Sequence, residues 1–431
     1  MNIGNKLAEK IITVYFFALA VMMYYFLDQT LTFKLSITFR HLFGLIIIAS
    51  GLVCFMIKPD FPRAVVGFKS ACVMGLPLLV TLGASMLVWI IERSDAHVIT
   101  RGLSYYFIFM NSFHAALAAA MLLYLFGEKA IWLNLGAILT SNLLMIAMVI
   151  VRNGLGSFVS EFITLVLTFA GETGDVVKQA EIHELAFCLG AYLLYMLLFP
   201  RKGLGYLIGF GLAGFCFVAA FKRIAVLAVG AALMFGYLCR FLKSRGKEKL
   251  ASRLISIVMA LSVVVLLSYI GIVKSGVFQR MEEAGIDTSG RAMIYESVDS
   301  FYEFSPKFVG NGMGFLTFKL NSGLNVAGVQ AIHNDFLDFF INLGFWGFIL
   351  WLTAFTVVRT KFFGRDGFTD GAIAASAIIL YVLIVSSTDN TMNYHLFNTT
   401  LAVLIIGHGF DRRSKEEQIR LFGKNYEEES A

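Results

Sequence analysis

Long apolar runs recur along the whole chain, separated by polar connections that are mostly short. A helix needs about 20 residues to cross a hydrocarbon core of ~30 Å. Twelve runs come near that length, at 11–27, 40–57, 70–91, 103–126, 131–151, 184–199, 204–221, 223–241, 254–273, 335–358, 372–388 and 394–410. Because the runs are continuously apolar and do not alternate with polar residues, they predict helices rather than barrel strands.

The composition points to the same class of protein. Of the 431 residues, 58% are hydrophobic and only 15% are charged, and the mean hydropathy is +0.76. No ordinary soluble domain has this composition. We therefore expect an all-α integral membrane protein with about twelve transmembrane helices, forming a single polytopic domain over residues 1–431.

Most of the Lys and Arg residues lie in connections on one side of this arrangement. These connections are 58–69, 200–203, 240–253, 359–371 and the tail after the last run. Basic residues favour the cytoplasmic side, so the pattern predicts that both termini are cytoplasmic. The net charge of +6 reflects this bias. Because no basic face is present, a nucleic-acid partner is not expected.

Two segments on the opposite, periplasmic side are long. Segment 152–183 contains a run from Phe162 to Ala170 that is too short to span, which predicts a re-entrant or interfacial helix. Segment 274–332, between the ninth and tenth runs, is the largest extramembrane piece of the chain. It is too short to bury an independent core, so it is expected to cap the membrane face.

His333 lies where the larger segment enters the tenth run. The helix that begins there would present its N-terminus, which favours anions, to the periplasmic face. A histidine at this point could act as a general base. The alternative is a polar helix cap at the interface, formed by Asn334 or Asp335, with His333 merely exposed to water.

Asn334, Asp338 and Asn342 follow at intervals of four residues, so they lie on one face of the predicted helix. Polar groups inside a span must face protein or a water-filled cavity. Asp338 is interpreted as a structural anchor between helices in preference to a catalytic acid.

Lys222 and Arg223 join the seventh and eighth runs at the periplasmic face, where cations are least expected. No carboxylate is near them in sequence. A phosphate-bearing lipid headgroup would supply the missing counter-ion. The alternative is that both side chains only reach out to ordinary anionic lipid.

Three further features complete the candidate chemistry. Arg291 lies in the larger periplasmic segment, and Asp389 lies in the polar connection SSTDNTMNYHLFN between the last two runs. The motif GNGMG, residues 310–314, lacks the strand-to-helix setting of a nucleotide loop and predicts a sharp turn. The five cysteines all fall in or beside apolar runs without a CxxC pair, so neither a disulfide nor a metal site is expected.

Taken in order, these features resemble the O-antigen polymerase and O-antigen ligase superfamily. The resemblance runs from Lys222 to about Gly347 and rests on PKFVGNGMGF and HNDFLDFFINLGFWG in addition to the basic pair. The residues that match the family pattern are Arg223, His333, Asn334, Leu337, Gly344 and Gly347. Phe221 before Lys222 departs from the commoner Ser-Arg form, and Lys-Arg-Ile looks more like the polymerases than the ligases.

The resemblance implies a GT-C-like glycosyltransferase of the bacterial inner membrane that needs no metal or other cofactor and has a periplasmic active site. Its donor would be a glycan on undecaprenyl pyrophosphate. His333 would be the general base, and Arg223, Arg291, Lys222, Asn334 and Asp389 would bind substrate. In a polymerase the acceptor is the next lipid-linked repeat unit; in a ligase it is the lipid A core. Membrane lipids, chain-length regulators and flippase proteins are the implied partners.

Two alternatives come from other functional classes. A transporter or flippase of lipid-linked sugars would show paired repeats with broken helices and charges near the bilayer midplane. A scaffold of an envelope complex would tolerate free replacement of Arg223 and His333. The ionisable residues gather at one predicted face beside a large segment, which favours surface chemistry over passage.

Overall fold

The computed structural model describes residues 6–29, 36–92, 99, 113–168, 175–220, 222–286, 288, 290–322 and 332–423. Every regular secondary-structure element among these residues is a helix, as predicted, and none is a strand. The helices are α1 (Lys6–Gln29), α2 (Ser36–Ile57), α3 (Phe61–Ile91), α4 (Phe113–Phe126), α5 (Lys129–Asn153), α6 (Leu155–Thr168), α7 (Asp175–Gln179), α8 (His183–Leu198), α9 (Leu204–Ala220), α10 (Arg223–Ser244), α11 (Glu248–Lys274), α12 (Val277–Glu283), α13 (Arg291–Val298), α14 (Phe315–Ser322), α15 (Asp335–Thr353), α16 (Arg359–Phe363), α17 (Thr369–Ser386), α18 (His395–Gly407) and α19 (Phe410–Phe422).

Each of the twelve apolar runs coincides with a helix, although residues 103–112 of the fourth run lie outside the described residues. Six helices among the described residues are long and apolar enough to cross a membrane. They are α3, α5, α10, α11, α15 with its continuation to Phe363, and α17. Six shorter apolar helices accompany them. A multi-pass helical membrane protein follows, while the number of twelve spans and the orientation remain predictions.

Two predicted connections are shorter than expected. Helix α3 begins at Phe61, so the connection placed at 58–69 has only residues 58–60 outside a helix. The tenth span does not end at residue 358, because a π-helical segment, Ala354–Val358, leads directly into α16. Arg359 is therefore buried rather than in a loop, with its guanidinium over the Phe355 ring and donating to the Met74 carbonyl.

The chain divides into two compact units. Unit 1 comprises Met1–Ala71, His114–Tyr237 and Tyr394–Ala431, and unit 2 comprises Cys72–Phe113 and Leu238–Asn393. The expectation of a single polytopic domain stays a prediction.

A buried polar cluster joins four helices of unit 1. The Asn134 amide accepts from the Tyr24 hydroxyl at 2.5 Å and donates to Tyr192 at 3.0 Å and Thr400 at 3.3 Å. Since buried polar groups are costly unless paired, these bonds specify how α1, α5, α8 and α18 meet. Glu184 makes a similar link, because its carboxylate accepts from the backbone N–H of Leu396 at 2.5 Å, at the start of α18.

Unit 2 is built around α11, α15 and α17, with the helices of segment 274–332 beside them. Phenylalanine rings fill its centre: Phe340 contacts the rings of Tyr302, Phe308 and Phe348 at centroid distances of 5.6–5.9 Å. The described part of segment 274–332 forms α12, α13 and α14, while residues 323–331 lie outside the described part. In unit 1, the predicted short helix of segment 152–183 is α6, which begins at Leu155 and thus earlier than Phe162.

Candidate functional site

One buried amide holds the N-terminus of α15. The side-chain oxygen of Asn334 accepts from the backbone N–H of Leu337 at 3.1 Å, so Asn334 is the helix cap. Its nitrogen donates to the hydroxyl oxygens of Tyr269 at 3.2 Å and Tyr295 at 3.1 Å. Only an amide side chain can accept once and donate twice in this way. Asn334 is fully buried, so its contacts position the residue before it.

His333 stands directly before this cap in a strained backbone conformation. Its φ of 49° is the only positive φ of a non-glycine residue in the part of the chain that the structure describes. Such a conformation costs about 1–3 kcal/mol and persists only where the surroundings impose it. Ile332 and Asn334 on either side are both buried. The imidazole itself is 52% exposed, and its Nδ1 lies 3.9 Å from Oδ1 of Asp389.

The turn that carries Asp389 is fixed to the start of α15. Oδ2 of Asp335 accepts from the backbone N–H of Met392 at 2.9 Å and from the Thr391 hydroxyl at 3.4 Å. Oδ1 of Asp389 in turn accepts from the N–H of Asn390 at 2.7 Å. Asp335 therefore does not cap the helix. It fixes the turn that carries Asp389 next to the start of α15.

Arg291, the first residue of α13, reaches the same turn from segment 274–332. Its Nη2 donates to the Thr388 carbonyl at 3.0 Å, one residue from Asp389, and its Nη1 donates to the Thr288 carbonyl at 3.4 Å. Its Nε–H is buried and has no partner among the described residues. The structure thus brings together three of the predicted site residues, Arg291, His333 and Asp389.

The arrangement has a clear chemical capacity. An exposed imidazole with a carboxylate at its Nδ1 side is oriented to accept a proton at Nε2 from a bound molecule. Arg291, which reaches the same turn from α13, has a guanidinium that favours anions, with planar geometry suited to phosphate. A candidate proton acceptor and a candidate anion-binding group therefore lie near the same turn of unit 2.

Deeper in α15, the predicted polar stripe faces protein. Asn342 is 1% exposed, donates to Oδ1 of Asp338 at 2.7 Å and accepts from the backbone N–H of Leu316 at 3.4 Å. Asp338 accepts this bond within α15, and Asn342 makes the link to α14, so the interpretation of Asp338 as an anchor between helices stays a prediction.

The glycine-rich motif is a sharp turn, as predicted, and it clasps a break in α15. The helix is interrupted at Gly344, with φ 71° and ψ −176°. The Gly312 N–H donates to the Asn342 carbonyl at 2.8 Å, and the Phe345 N–H donates to the Phe308 carbonyl at 2.9 Å. A Cβ added at Gly310 would lie 2.5 Å from the Gly344 nitrogen, which explains why this contact requires glycine.

Lys222 and Arg223 belong to unit 1, and they differ in whether a carboxylate lies beside them. Nζ of Lys222 lies 2.6 Å from Oε1 of Glu181, so a carboxylate distant in sequence already supplies its counter-ion. Burial opposes ionisation of Glu181, but the hydrogen bond from His183 and the pair with Lys222 outweigh it and hold the pKa of Glu181 below its ordinary value. Arg223 is exposed and has no ion-pair partner within the described residues. Of the two cations, Arg223 is the better candidate for a substrate phosphate.

Sequence reasoning missed the supporting residues Tyr269 and Tyr295, and it considered Asp335 only as a possible helix cap. Burial raises the pKa of the Tyr295 phenol, which therefore stays neutral beside Asn334. The only sequence signal for Asp335 was that it directly follows the His-Asn pair. Within the described residues, no group of three or more His, Cys, Asp or Glu side chains is placed to hold a metal ion.

One known protein family matches the part of the chain that contains most of these residues. Residues 208–352 match the family model described as O-antigen ligase. The matched region contains Arg223, Arg291, His333 and Asn334, and it confirms the resemblance to the O-antigen polymerase and ligase superfamily. No curated protein matches the chain.

Proposed function

We propose that this chain is a membrane glycosyltransferase that polymerises undecaprenyl-pyrophosphate-linked oligosaccharide repeat units into O-antigen or another envelope polysaccharide. The match to the O-antigen ligase model supports this general kind of enzyme and substrate. The observation that carries the proposal is the strained, half-exposed His333 with Asp389 3.9 Å from its Nδ1 and with Arg291 bonded to the turn that carries Asp389.

In the proposed reaction, a hydroxyl of the acceptor sugar attacks the anomeric carbon of the donor glycan. The new carbon–oxygen bond forms as the bond to the pyrophosphate oxygen breaks, and that oxygen keeps the electron pair. Nε2 of His333 takes the hydroxyl proton, and the Asp389 carboxylate, 3.9 Å from Nδ1, stabilises the imidazolium that forms. Arg291, which reaches the turn that carries Asp389, stabilises the negative charge that grows on the leaving pyrophosphate, and Arg223 of unit 1 stays a predicted substrate-binding residue. No step of this scheme needs a metal or another cofactor.

The active site would face the periplasm, at the inner membrane of a bacterium. This placement follows from the predicted orientation, in which segment 274–332 and the connection with Asp389 lie on the same side. Lys222 contributes to substrate binding only if the substrate displaces it from Glu181, so its role is expected to be smaller than that of Arg223.

O-antigen ligation is the second candidate function. It is favoured by the description of the matching family model, whereas the Lys222-Arg223-Ile224 pattern favours polymerisation. Both reactions use the same donor and the same proton transfer, and they differ only in the acceptor.

The test is an assay of the purified chain with a synthetic undecaprenyl-pyrophosphate repeat unit, run with and without a chelator. Wild type is compared with His333→Ala, Asp389→Asn, Arg223→Ala and Arg291→Ala. Lys307→Ala is the matched control, because Lys307 is an exposed cation of the same segment. A product ladder from the single substrate, lost in His333→Ala and kept in Lys307→Ala, supports the polymerase.

Other outcomes are equally informative. Transfer that appears only after lipid A core is added identifies a ligase. A ladder that the chelator abolishes contradicts the metal-independent reaction. No transfer to either acceptor, with active positive controls, favours transport of lipid-linked sugars instead.

A further inference from the structure

A groove on unit 1, about 370 Å³ in volume, runs between α5 and α9. Leu135 and Leu139 line it from α5, and Gly205 and Gly209 line it from α9. Glycine inside a helix costs about 1 kcal/mol relative to alanine, so two glycines one turn apart need a reason. A Cβ at either position would meet nothing within 4 Å. Neither glycine is therefore required by packing against the described residues, and their effect is to keep the groove open.

One end of the groove is cationic. Arg201 and Lys202, in the turn between α8 and α9, both line it and are both exposed. The Arg201 guanidinium lies 5.0 Å from the centre of the Trp132 ring and 3.5 Å from the Glu128 carboxylate. Lys202 has no ion-pair partner within the described residues.

An indole N–H lies at the same end. Nε1 of Trp132, whose ring also lines the groove, is buried and has no hydrogen-bond partner among the described residues. A buried donor without an acceptor is costly. Because the indole N–H points outward in the plane of the ring, a phosphate oxygen in that plane beyond Nε1 would accept from this donor, and the two cations would neutralise its charge.

We propose that this groove binds one anionic phospholipid. An acyl chain lies over Gly205 and Gly209, and the phosphate lies at Arg201, Lys202 and the Trp132 N–H. The apolar floor suits a hydrocarbon chain, and the polar end suits a phosphate by charge and by hydrogen bonding. In the predicted orientation this is the cytoplasmic leaflet, so the site is separate from the proposed transfer reaction and does not depend on it.

The competing occupant is a helix from a second copy of the chain. Small residues four apart on an apolar helix often let two helices approach closely. Such a helix would cover Gly205 and Gly209, but it would bring no anion to Arg201, Lys202 and Trp132. The cationic end therefore favours the lipid.

The test measures binding of phosphatidylglycerol to the purified, delipidated full-length chain by native mass spectrometry, with phosphatidylcholine of the same acyl chains as the neutral comparison. The double variant Arg201→Gln/Lys202→Gln should weaken phosphatidylglycerol binding by about 30-fold, as expected for two cations near an anionic headgroup. The matched control is Lys247→Gln/Lys249→Gln, which removes two exposed cations away from the groove. It should bind like wild type.

A second double variant, Gly205→Leu/Gly209→Leu, fills the floor and leaves the charges in place. It should lose phosphatidylglycerol binding while its proportion of monomer stays the same. Thermal unfolding of every variant without lipid confirms that each is folded.

Four results overturn the proposal. The first is equal binding of phosphatidylcholine and phosphatidylglycerol by wild type. The second is an equal loss of phosphatidylglycerol binding in the groove variant and in the control. The third is a rise in the thermal unfolding midpoint with inorganic phosphate alone that equals the rise with phosphatidylglycerol, which identifies a small-anion site. The fourth is normal lipid binding by the leucine variant together with loss of a dimer, which identifies a helix-packing surface.

Discussion

His333 combines a left-handed backbone with a half-exposed imidazole. Neither property helps the helix to begin, because Asn334 supplies the cap and its own bonds do not involve the His333 ring. Glycine adopts this conformation with less strain, so the histidine at this position supports the proposal that its side chain takes part in the reaction. The residue can therefore be tested for function and stability separately.

Replacing His333 with glycine should lower turnover by about 10²–10⁴-fold, the usual contribution of a general base. The same change relieves backbone strain, so the thermal unfolding midpoint should stay equal to that of wild type or rise. Both quantities are measured on one purified sample. A variant that keeps its activity would show that His333 is only an exposed residue beside the cap.

Asn334 is predicted to act by positioning. Asn334→Ala removes the cap and both bonds to tyrosine hydroxyls, and should destabilise the fold by about 1–3 kcal/mol. Asn334→Ser keeps an acceptor for the Leu337 N–H and should lose less. Unfolding in detergent gives the stabilities, and the ladder assay should show lower kcat with little change in KM. An unchanged unfolding midpoint in Asn334→Ala would contradict this role.

At the scale of elements, the break at Gly344 shows why GNGMG is rich in glycine. Backbone groups of residues 308–312 take the bonds that a continuous helix would have formed within itself. The Met313 N–H also donates to the Ser85 hydroxyl at 3.0 Å. The motif resembles a phosphate loop by composition, but its work is to hold a helix break.

Gly344→Ala should be strongly destabilising. The new Cβ would lie 2.2 Å from the Val309 carbonyl carbon in a conformation with φ 71°, so backbone must move, at a cost of about 2 kcal/mol or more. The control is Gly83→Ala in α3, where a Cβ meets nothing within 4 Å; it should be neutral or slightly stabilising. Equal unfolding midpoints for the two variants would show that the clasp does not contribute to stability.

The pair of Glu181 and Lys222 predicts a pH dependence for the corner that joins α9 to α10. Because the pKa of Glu181 is below its ordinary value of 4.5 in the folded chain, its stabilising contribution is complete above that value and is lost as the pH falls further. The difference in unfolding midpoint between wild type and Glu181→Gln should therefore stay constant from about pH 7 down to the ordinary value of 4.5 and shrink as the pH falls below it. Glu303→Gln, at an exposed position, is the control.

Hydropathy located the helices but not their ends. The polar first turns of α3 hold Arg63 and Lys69, which pair with Asp411 at 3.1 Å and Glu417 at 3.1 Å in α19. A helix extends beyond its apolar run where salt bridges to other helices stabilise its polar turns. A count of apolar residues contains no information about such salt bridges. The same reason explains the continuation into α16, where Arg359 is held by the Met74 carbonyl.

For the molecule as a whole, residue type predicted the candidate site better than it predicted the contacts. His333 and Asp389 were identified because titratable groups next to apolar runs are unusual, whereas Arg291, inside segment 274–332, became a candidate through the family resemblance. Tyr269 and Tyr295 look like ordinary aromatic residues of their helices, and only folding brings their hydroxyls to Asn334. The partner of Lys222 was missed because Glu181 lies far away in sequence.

The orientation of the chain determines which compartment holds the candidate site. If segment 274–332 is periplasmic, a single cysteine at exposed Glu303, in a chain with its five native cysteines replaced, should react with a membrane-impermeant maleimide in intact spheroplasts. A cysteine at exposed Lys247, in the predicted cytoplasmic connection, should react only after permeabilisation. The reverse pattern would place His333 on the cytoplasmic side, opposite to the face at which the proposed reaction takes place. The proposed function would then fail together with the predicted orientation.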